Sequence, residues 1–276
     1  MSTNTNYVTL KTENTLIKNP RVRNLLVITA LIISFFAAWL PDFEFIFGME
    51  QGRISSMLVF GTFNGFLLGP IVGPIVTIVA MLLHLPINPE YLGNNLFTYL
   101  SPGFIGLASI IAGLCVAEKQ KFAYSIFGAV ILLWFITPVG FQAYSYIWFH
   151  VLVLACCVLA SRKQAFYHVS RRWQIFVYLF LVSLLAVLAD HLIGSIIAAF
   201  VFDLDANVYK EVIYLYPLER LILAFSAAVF GYIVFMLVQV LTSENIRDRK
   251  EPFTDVKDIV DYIETDVKAI LHKERK

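Results

Sequence analysis

The sequence predicts an all-α integral membrane protein, a polytopic bundle of six to eight transmembrane passages with a cytoplasmic amphipathic helix at the C-terminus. Of its 276 residues, 59% are hydrophobic and only 15% are charged, whereas a soluble domain carries about 25% charged residues. Several apolar stretches approach the roughly 20 residues that a helix needs to cross a bilayer. The apolar–polar alternation of a membrane β-barrel is not seen in the sequence.

The apolar stretches divide the chain into three parts, which are a cytoplasmic tail over 1–24, a bundle over 25–242 and a cytoplasmic helix over 243–276. Within the bundle we expect helical passages at about 25–40, 54–69, 71–86, 97–116, 122–138, 144–160, 174–200 and 215–241.

Two of these passages, 54–69 and 71–86, are short and meet at Gly69-Pro70. A helix of 16 residues is about 24 Å long, less than the hydrocarbon thickness of about 30 Å. Gly and Pro at the junction suit a tight turn or a broken helix. The sequence therefore predicts a helical hairpin, and one kinked helix is the alternative.

Lys and Arg in the short connections predict the orientation. They are concentrated in the N-terminal tail and in the connections at 117–122 and 161–173, whereas the other loops hold at most one each. We therefore expect a plasma-membrane protein with both termini in the cytoplasm. This orientation requires 54–86 to leave from and return to the outer face.

Ionisable residues interrupt the last two apolar passages. Asp190 and His191 lie past the middle of one passage, and Glu219 and Arg220 lie near the start of the next. Because an unpaired charge at membrane depth costs several kcal/mol, we expect Asp190 to pair with Arg220. The pair either pins two helices together or faces a ligand cavity, and a proton relay through His191 is a third interpretation.

Aromatic residues are dense in the predicted outer loops, where they form an interfacial belt or stack on a ligand. Those of the first loop could act as a lid. The predicted substrate-binding set is Asp190, His191, Glu219, Arg220, Phe43, Phe45, Tyr144 and Trp148.

Small residues recur every fourth position in the first passage, at Ala30, Ser34 and Ala38. Such a stripe allows close helix approach. It serves either within the bundle or as a face for another subunit.

Other function classes find little support. The five histidines are scattered, so no metal site is predicted, and we interpret His84 and His150 as interfacial residues. No catalytic or phosphate-binding motif is found, so neither an enzyme nor a cofactor is expected. The net charge of +1 does not indicate nucleic-acid binding. Three cysteines, two of them adjacent, do not form a disulfide framework.

The C-terminal segment 243–276 has apolar residues at helical spacing on one face. We expect this helix to pack on its own bundle, to dock on a cytoplasmic partner or to self-associate. Its apolar positions are Val256, Ile259, Val260, Ile263, Val267, Ile270 and Leu271.

Four passages together resemble the substrate-binding (S) components of energy-coupling-factor (ECF) vitamin and micronutrient transporters. They are Phe66-Leu-Leu-Gly-Pro-Ile-Val-Gly73, Ser101-Pro-Gly-Phe-Ile-Gly106 with Ala112-Gly113, Asp190-His-Leu-Ile-Gly-Ser195 and Tyr216-Pro-Leu-Glu-Arg-Leu221. Six helices are typical of that family, whereas eight passages are counted here, and the charged tail after Ser243 is longer than usual.

The resemblance implies a helical protein that binds one small molecule from the outer face and works with a transmembrane scaffold subunit and two ATPases. It also implies that the stripe of Ala30, Ser34 and Ala38 contacts the scaffold. We therefore expect the substrate-binding subunit of an ECF-type importer. The alternative is a structural or regulatory membrane protein that recruits a partner through its tail helix.

Overall fold

A computed structural model describes residues 20–40, 56–87, 96–162 and 172–244 of the chain. These residues form helices, and no β-strand occurs among them. The elements are α1 (Pro20–Ala37), α2 (Met57–His84), α3 (Leu96–Val116), α4 (Gln120–Ile136), α5 (Pro138–Gln142), the 3-10 helix η1 (Tyr144–Ile147), α6 (Trp148–Arg162), α7 (Arg172–Val201), α8 (Ala206–Glu211) and α9 (Tyr216–Glu244).

Five of the described helices are long and apolar enough to cross a membrane, which confirms the all-α class with membrane-type helices. They are α2, α3, η1 with α6 over Tyr144–Ser161, α7 and α9. α1 and α4 are apolar but shorter. The number of complete passages stays a prediction. Residues 1–19 and 245–276, and with them most of the tail helix on which the alternative function depends, lie outside the described residues.

α2 is interrupted at Gly69, whose φ of 78° and ψ of −175° are not helical. Only glycine adopts this conformation without strain. Asn64 and Thr77, which an unbroken helix would separate by about 20 Å, are joined by a hydrogen bond of 3.0 Å between Asn64 Nδ2 and Thr77 Oγ1. The two arms of α2 therefore lie side by side. That both arms meet the outer face of the membrane stays a prediction.

A buried polar triad joins α1 to both arms of α2. The Asn64 amide donates to Ser34 Oγ at 2.8 Å as well as to Thr77 Oγ1. Thr77 in turn donates to the Gly73 carbonyl at 2.9 Å. Each of these three side chains is at most 1% exposed, so they satisfy one another in an apolar surrounding.

The small-residue stripe along α1 is buried within the folded protein. Ala30, Ser34 and Ala38 are all buried, and Ser34 is bonded to α2. This packing supports the alternative in which the stripe serves within the bundle. Contact of the stripe with a second subunit stays a prediction, and it would require α1 to leave α2.

Close contact between α2 and α3 depends on glycine at two positions. A Cβ added at Gly65 would lie 2.3 Å from the Ser109 carbonyl oxygen, and one at Gly113 would lie 2.5 Å from the nitrogen of Pro70. The backbone of α3 therefore touches the first arm of α2 and its turn. A glycine repeat every four residues at Gly61, Gly65 and Gly69 is the signal of such packing.

We expect Gly65→Ala to lower the free energy of unfolding by about 1–3 kcal/mol, because the new methyl group overlaps a backbone carbonyl of α3. Thermal unfolding of the purified protein in detergent measures this. Gly128→Ala is the matched control, since nothing lies within 4 Å of its added Cβ. Equal stability of the two variants would contradict the close packing of α2 on α3.

Candidate functional site

Buried polar and aromatic side chains meet at one end of the bundle, where α4 and α7 end and η1, α6 and α9 begin. The centre of the cluster is Tyr146, whose ring centroid lies 5.2 Å from that of Trp134, 5.8 Å from His191, 5.1 Å from Tyr209 and 4.7 Å from Tyr216. The cluster therefore draws one aromatic ring from each of α4, η1, α7, α8 and α9.

Local sequence positions these rings. Thr137 accepts from the Gly140 backbone N–H and Pro138 occupies the first turn, so α5 begins directly after α4 and returns the chain toward Tyr146. Asp205 caps α8 by accepting from Asn207 N. This places Tyr209 against α7, where its hydroxyl donates to the Ser195 carbonyl at 2.9 Å.

A continuous chain of hydrogen bonds runs through the cluster. Ser195 Oγ lies 3.1 Å from Tyr146 Oη, which lies 2.9 Å from His191 Nε2. His191 Nδ1 lies 3.4 Å from His150 Nε2, and His150 Nδ1 lies 3.3 Å from Tyr216 Oη. Tyr216 Oη donates to the Tyr146 carbonyl at 2.7 Å. All four ring nitrogens of the two histidines are therefore engaged.

Arg220 borders this chain from the first turns of α9. It is 6% exposed, and its Nε–H finds no hydrogen-bond partner among the described residues. The guanidinium interacts electrostatically with both histidines, with Tyr146 and with Tyr216. A buried charged donor thus faces the aromatic cluster.

A second buried donor is present at the same cluster. Trp134 is fully buried, and its Nε1–H also has no partner among the described residues. Its ring packs on Tyr146 and, edge to face, on Tyr209 at 5.0 Å. Leaving a buried donor unsatisfied costs about 1–3 kcal/mol.

The acidic residues of the predicted pair lie near Arg220. Glu219 forms an ion pair with Arg220, in which Glu219 Oε2 lies 4.0 Å from Arg220 Nη2. Asp190 interacts with the same guanidinium over a longer range. The structure thus brings all four predicted polar residues to one end of the bundle. The ion pair between Glu219 and Arg220, however, joins two neighbours on α9, whereas the predicted pair would join Asp190 on α7 to Arg220 on α9.

Two of the four predicted aromatic wall residues, Tyr144 and Trp148, lie outside the buried cluster. Tyr144 is 68% exposed, and Trp148 is 41% exposed with its indole donating to the Ile213 carbonyl at 3.1 Å. Phe43 and Phe45 lie outside the described residues. Their contact with a ligand stays a prediction.

Sequence reasoning missed several residues at the centre of the site. His150 and His84, which were interpreted as interfacial residues, are both buried within the protein, and whether they lie at the depth of the membrane interface stays a prediction. Tyr146, Tyr209 and Tyr216 were also not assigned. The sequence does contain a signal for this cluster. Each of η1, α6, α7 and α9 carries a hydroxyl or an imidazole among apolar neighbours, and in a bilayer such polar groups need partners within the protein.

Comparisons with known proteins add one relative. The chain is 29% identical, over 199 residues, to an uncharacterised protein of Methanocaldococcus jannaschii. The match covers 72% of this chain and 66% of the length of the relative. No protein-family model matches the chain, and no solved structure matches it.

Burial raises the pKa of Tyr209 above its ordinary value, and the nearby Tyr146 adds to the shift. The folded protein therefore keeps the Tyr209 phenol neutral, whereas the unfolded chain releases that proton above about pH 10. The stability contributed by neutral Tyr209 is present below that pH and is lost as the pH rises above it.

Above about pH 10 the free energy of unfolding should fall less steeply with pH in Tyr209→Phe than in the unmodified protein. The two slopes should differ by up to about 1.4 kcal/mol for each pH unit. Unfolding in detergent, followed from neutral to alkaline pH, measures this slope. Tyr214→Phe is the control, because Tyr214 is 80% exposed. The same alkaline slope for Tyr209→Phe and the unmodified protein would refute the prediction.

Proposed function

We propose that the chain is the membrane-embedded substrate-binding subunit of an ECF-type importer, which captures a small micronutrient or vitamin from the outer face. The observation that carries the proposal is the pair of buried N–H donors, Arg220 Nε–H and Trp134 Nε1–H, which have no hydrogen-bond partner among the residues that the structure describes. Native proteins leave few buried polar groups unsatisfied, so such groups indicate a missing partner. A ligand that presents hydrogen-bond acceptors supplies that partner.

The composition of the cluster fits such a ligand. Small-molecule sites combine aromatic walls with a few polar groups that fix orientation. Tyr146, Tyr209 and Tyr216 provide rings, and Arg220 provides a positive charge. Ionisable residues within apolar helices mark substrate sites by default because their burial is costly.

The likeness of four sequence passages to the S components supports the transport assignment. We assign the chain binding rather than catalysis. No nucleotide-binding motif is found in the sequence, so an ATP-driven step belongs to separate scaffold and ATPase subunits. The arms of α2, about 18 and 22 Å long as helices, suit a hairpin that enters from the outer face of a plasma membrane. Both termini then lie in the cytoplasm.

Native mass spectrometry of the protein purified from its membrane tests the binding function. We expect the unmodified protein to retain a small molecule and Arg220→Met to lose at least about 90% of it, because a charged hydrogen bond contributes about 1.5–3 kcal/mol. Lys210→Met is the control, since it removes the same charge from an exposed position on α8. Equal retention by both variants, or no retained molecule in any of them, would refute the assigned site.

Co-purification separately tests the partner. The full chain, gently solubilised from its own membranes, should bring down two ATPases and a transmembrane scaffold subunit. A chain that retains its small molecule but is isolated without ATPases would leave the binding site standing and exclude the ECF-type assembly.

A further inference from the structure

Hydrogen-bond donors, rather than acceptors, are left over in the described part of the cluster. The hydroxyls of Tyr209 and Tyr216 donate to backbone carbonyls at 2.9 and 2.7 Å, and the ring nitrogens of both histidines are engaged. The buried polar side-chain atoms without a partner among the described residues of the cluster are Arg220 Nε and Trp134 Nε1. Each of these nitrogens donates one hydrogen bond and accepts none. A molecule that completes the cluster must therefore supply acceptors.

The positive charge of the guanidinium is already compensated. Glu219 Oε2 lies 4.0 Å from Arg220 Nη2, and the two side chains are 11% and 8% exposed. Asp190 of α7 interacts electrostatically with the same guanidinium. His150 and His191 satisfy their hydrogen bonds as neutral rings, so they add no charge. The described groups around the two open donors thus carry no excess of positive charge, whether Asp190 is ionised or protonated.

This balance of charge disfavours an ionic occupant. An anion would leave water for a surrounding in which a carboxylate already pairs with Arg220, and burying a charge without a partner of its own is costly. A cation would lie beside the guanidinium and would bring hydrogens to two groups that themselves donate. An uncharged molecule that offers acceptors avoids both costs.

The rings beside the donors favour a flat molecule. The ring centroid of Trp134 lies 5.2 Å from that of Tyr146 and 5.0 Å from that of Tyr209. Arg220 interacts electrostatically with Tyr146 and Tyr216. Both donors therefore border one aromatic group, on which a planar ring stacks while the acceptors on its edge bind the N–H groups. Arg220 is 6% exposed whereas Trp134 is fully buried, so the approach is from the guanidinium side.

We propose that the substrate is an uncharged, planar compound whose carbonyl oxygens or ring nitrogens accept from Arg220 Nε–H and Trp134 Nε1–H. This inference rests on the proposed binding function and narrows it to one chemical class. It excludes carboxylates, phosphates and ammonium compounds as the molecule held in the cluster. Trp134 is then a specificity-determining residue, because a compound of the same shape without the acceptor leaves a buried indole N–H unpaired.

The chemical class of the retained molecule tests the inference. The full chain is purified from its own membranes in detergent and then denatured, and the released molecule is analysed by mass spectrometry in both polarities and by electrophoresis at about pH 7. We expect a compound that absorbs in the ultraviolet and carries no charged group. A released carboxylate, phosphate or ammonium compound would overturn the inferred class and leave the binding function standing. Release of no molecule would refute the binding function, and the class with it.

Trp134→Phe keeps an aromatic ring and removes the indole N–H. We expect it to retain the molecule about fivefold more weakly, which is the ordinary effect of one neutral hydrogen bond. Trp173→Phe is the matched control, since Trp173 is 58% exposed. Equal retention by the two variants would overturn the assignment of Trp134 as a donor to the substrate.

Nitrogen NMR of the unmodified protein with ¹⁵N-labelled indoles decides the matter if Trp134→Phe does not fold. The Trp134 N–H signal should shift between the loaded protein and the protein stripped of its molecule, because its hydrogen bond is lost, while the Trp173 signal should stay in place. A Trp134 signal that is the same in both samples would also overturn the proposal.

Discussion

Apolar surroundings oblige each polar group of this chain to find its partner within the protein. Two groups of buried polar side chains differ in how completely they meet that demand. Ser34, Asn64 and Thr77 form a small closed triad between α1 and α2. In the other group, two histidines and their tyrosine neighbours satisfy one another, whereas Arg220 Nε–H and Trp134 Nε1–H have no hydrogen-bond partner within the described part of the chain. The first group is a structural contact because its side-chain hydrogen bonds are all made within the protein. The second is a candidate site because two of its donors still lack an acceptor.

The helices could be predicted from the sequence because a bilayer imposes a simple rule on length and polarity. The expected passage at 97–116 corresponds to α3 at Leu96–Val116, and that at 174–200 corresponds to α7 at Arg172–Val201. Gly69 and Pro70 correctly marked the break in α2. Glycine tolerates a positive φ and proline lacks the backbone N–H that a helix needs, and both properties can be read from the residue type alone. α5 and α8 were missed, because helices of five and six residues are too short to show a period.

The site was harder to predict, since it depends on how each helix is rotated about its axis. Asp190, His191, Glu219 and Arg220 were found because ionisable residues in apolar helices are conspicuous. Tyr144 and Tyr146 show what remained hidden: they are two residues apart in η1, yet the first is exposed and the second is 2% exposed. Their spacing alone gives no means of choosing between them. His150 was likewise hidden, because its burial depends on packing against His191 of α7 and Tyr216 of α9 rather than on its neighbours in the sequence.

The Ser34–Asn64–Thr77 triad has a mechanical consequence. The amide of Asn64 in the first arm of α2 donates to both α1 and the second arm, so one side chain links all three segments. A force applied to α1 would therefore be transmitted through Asn64 to both arms of α2.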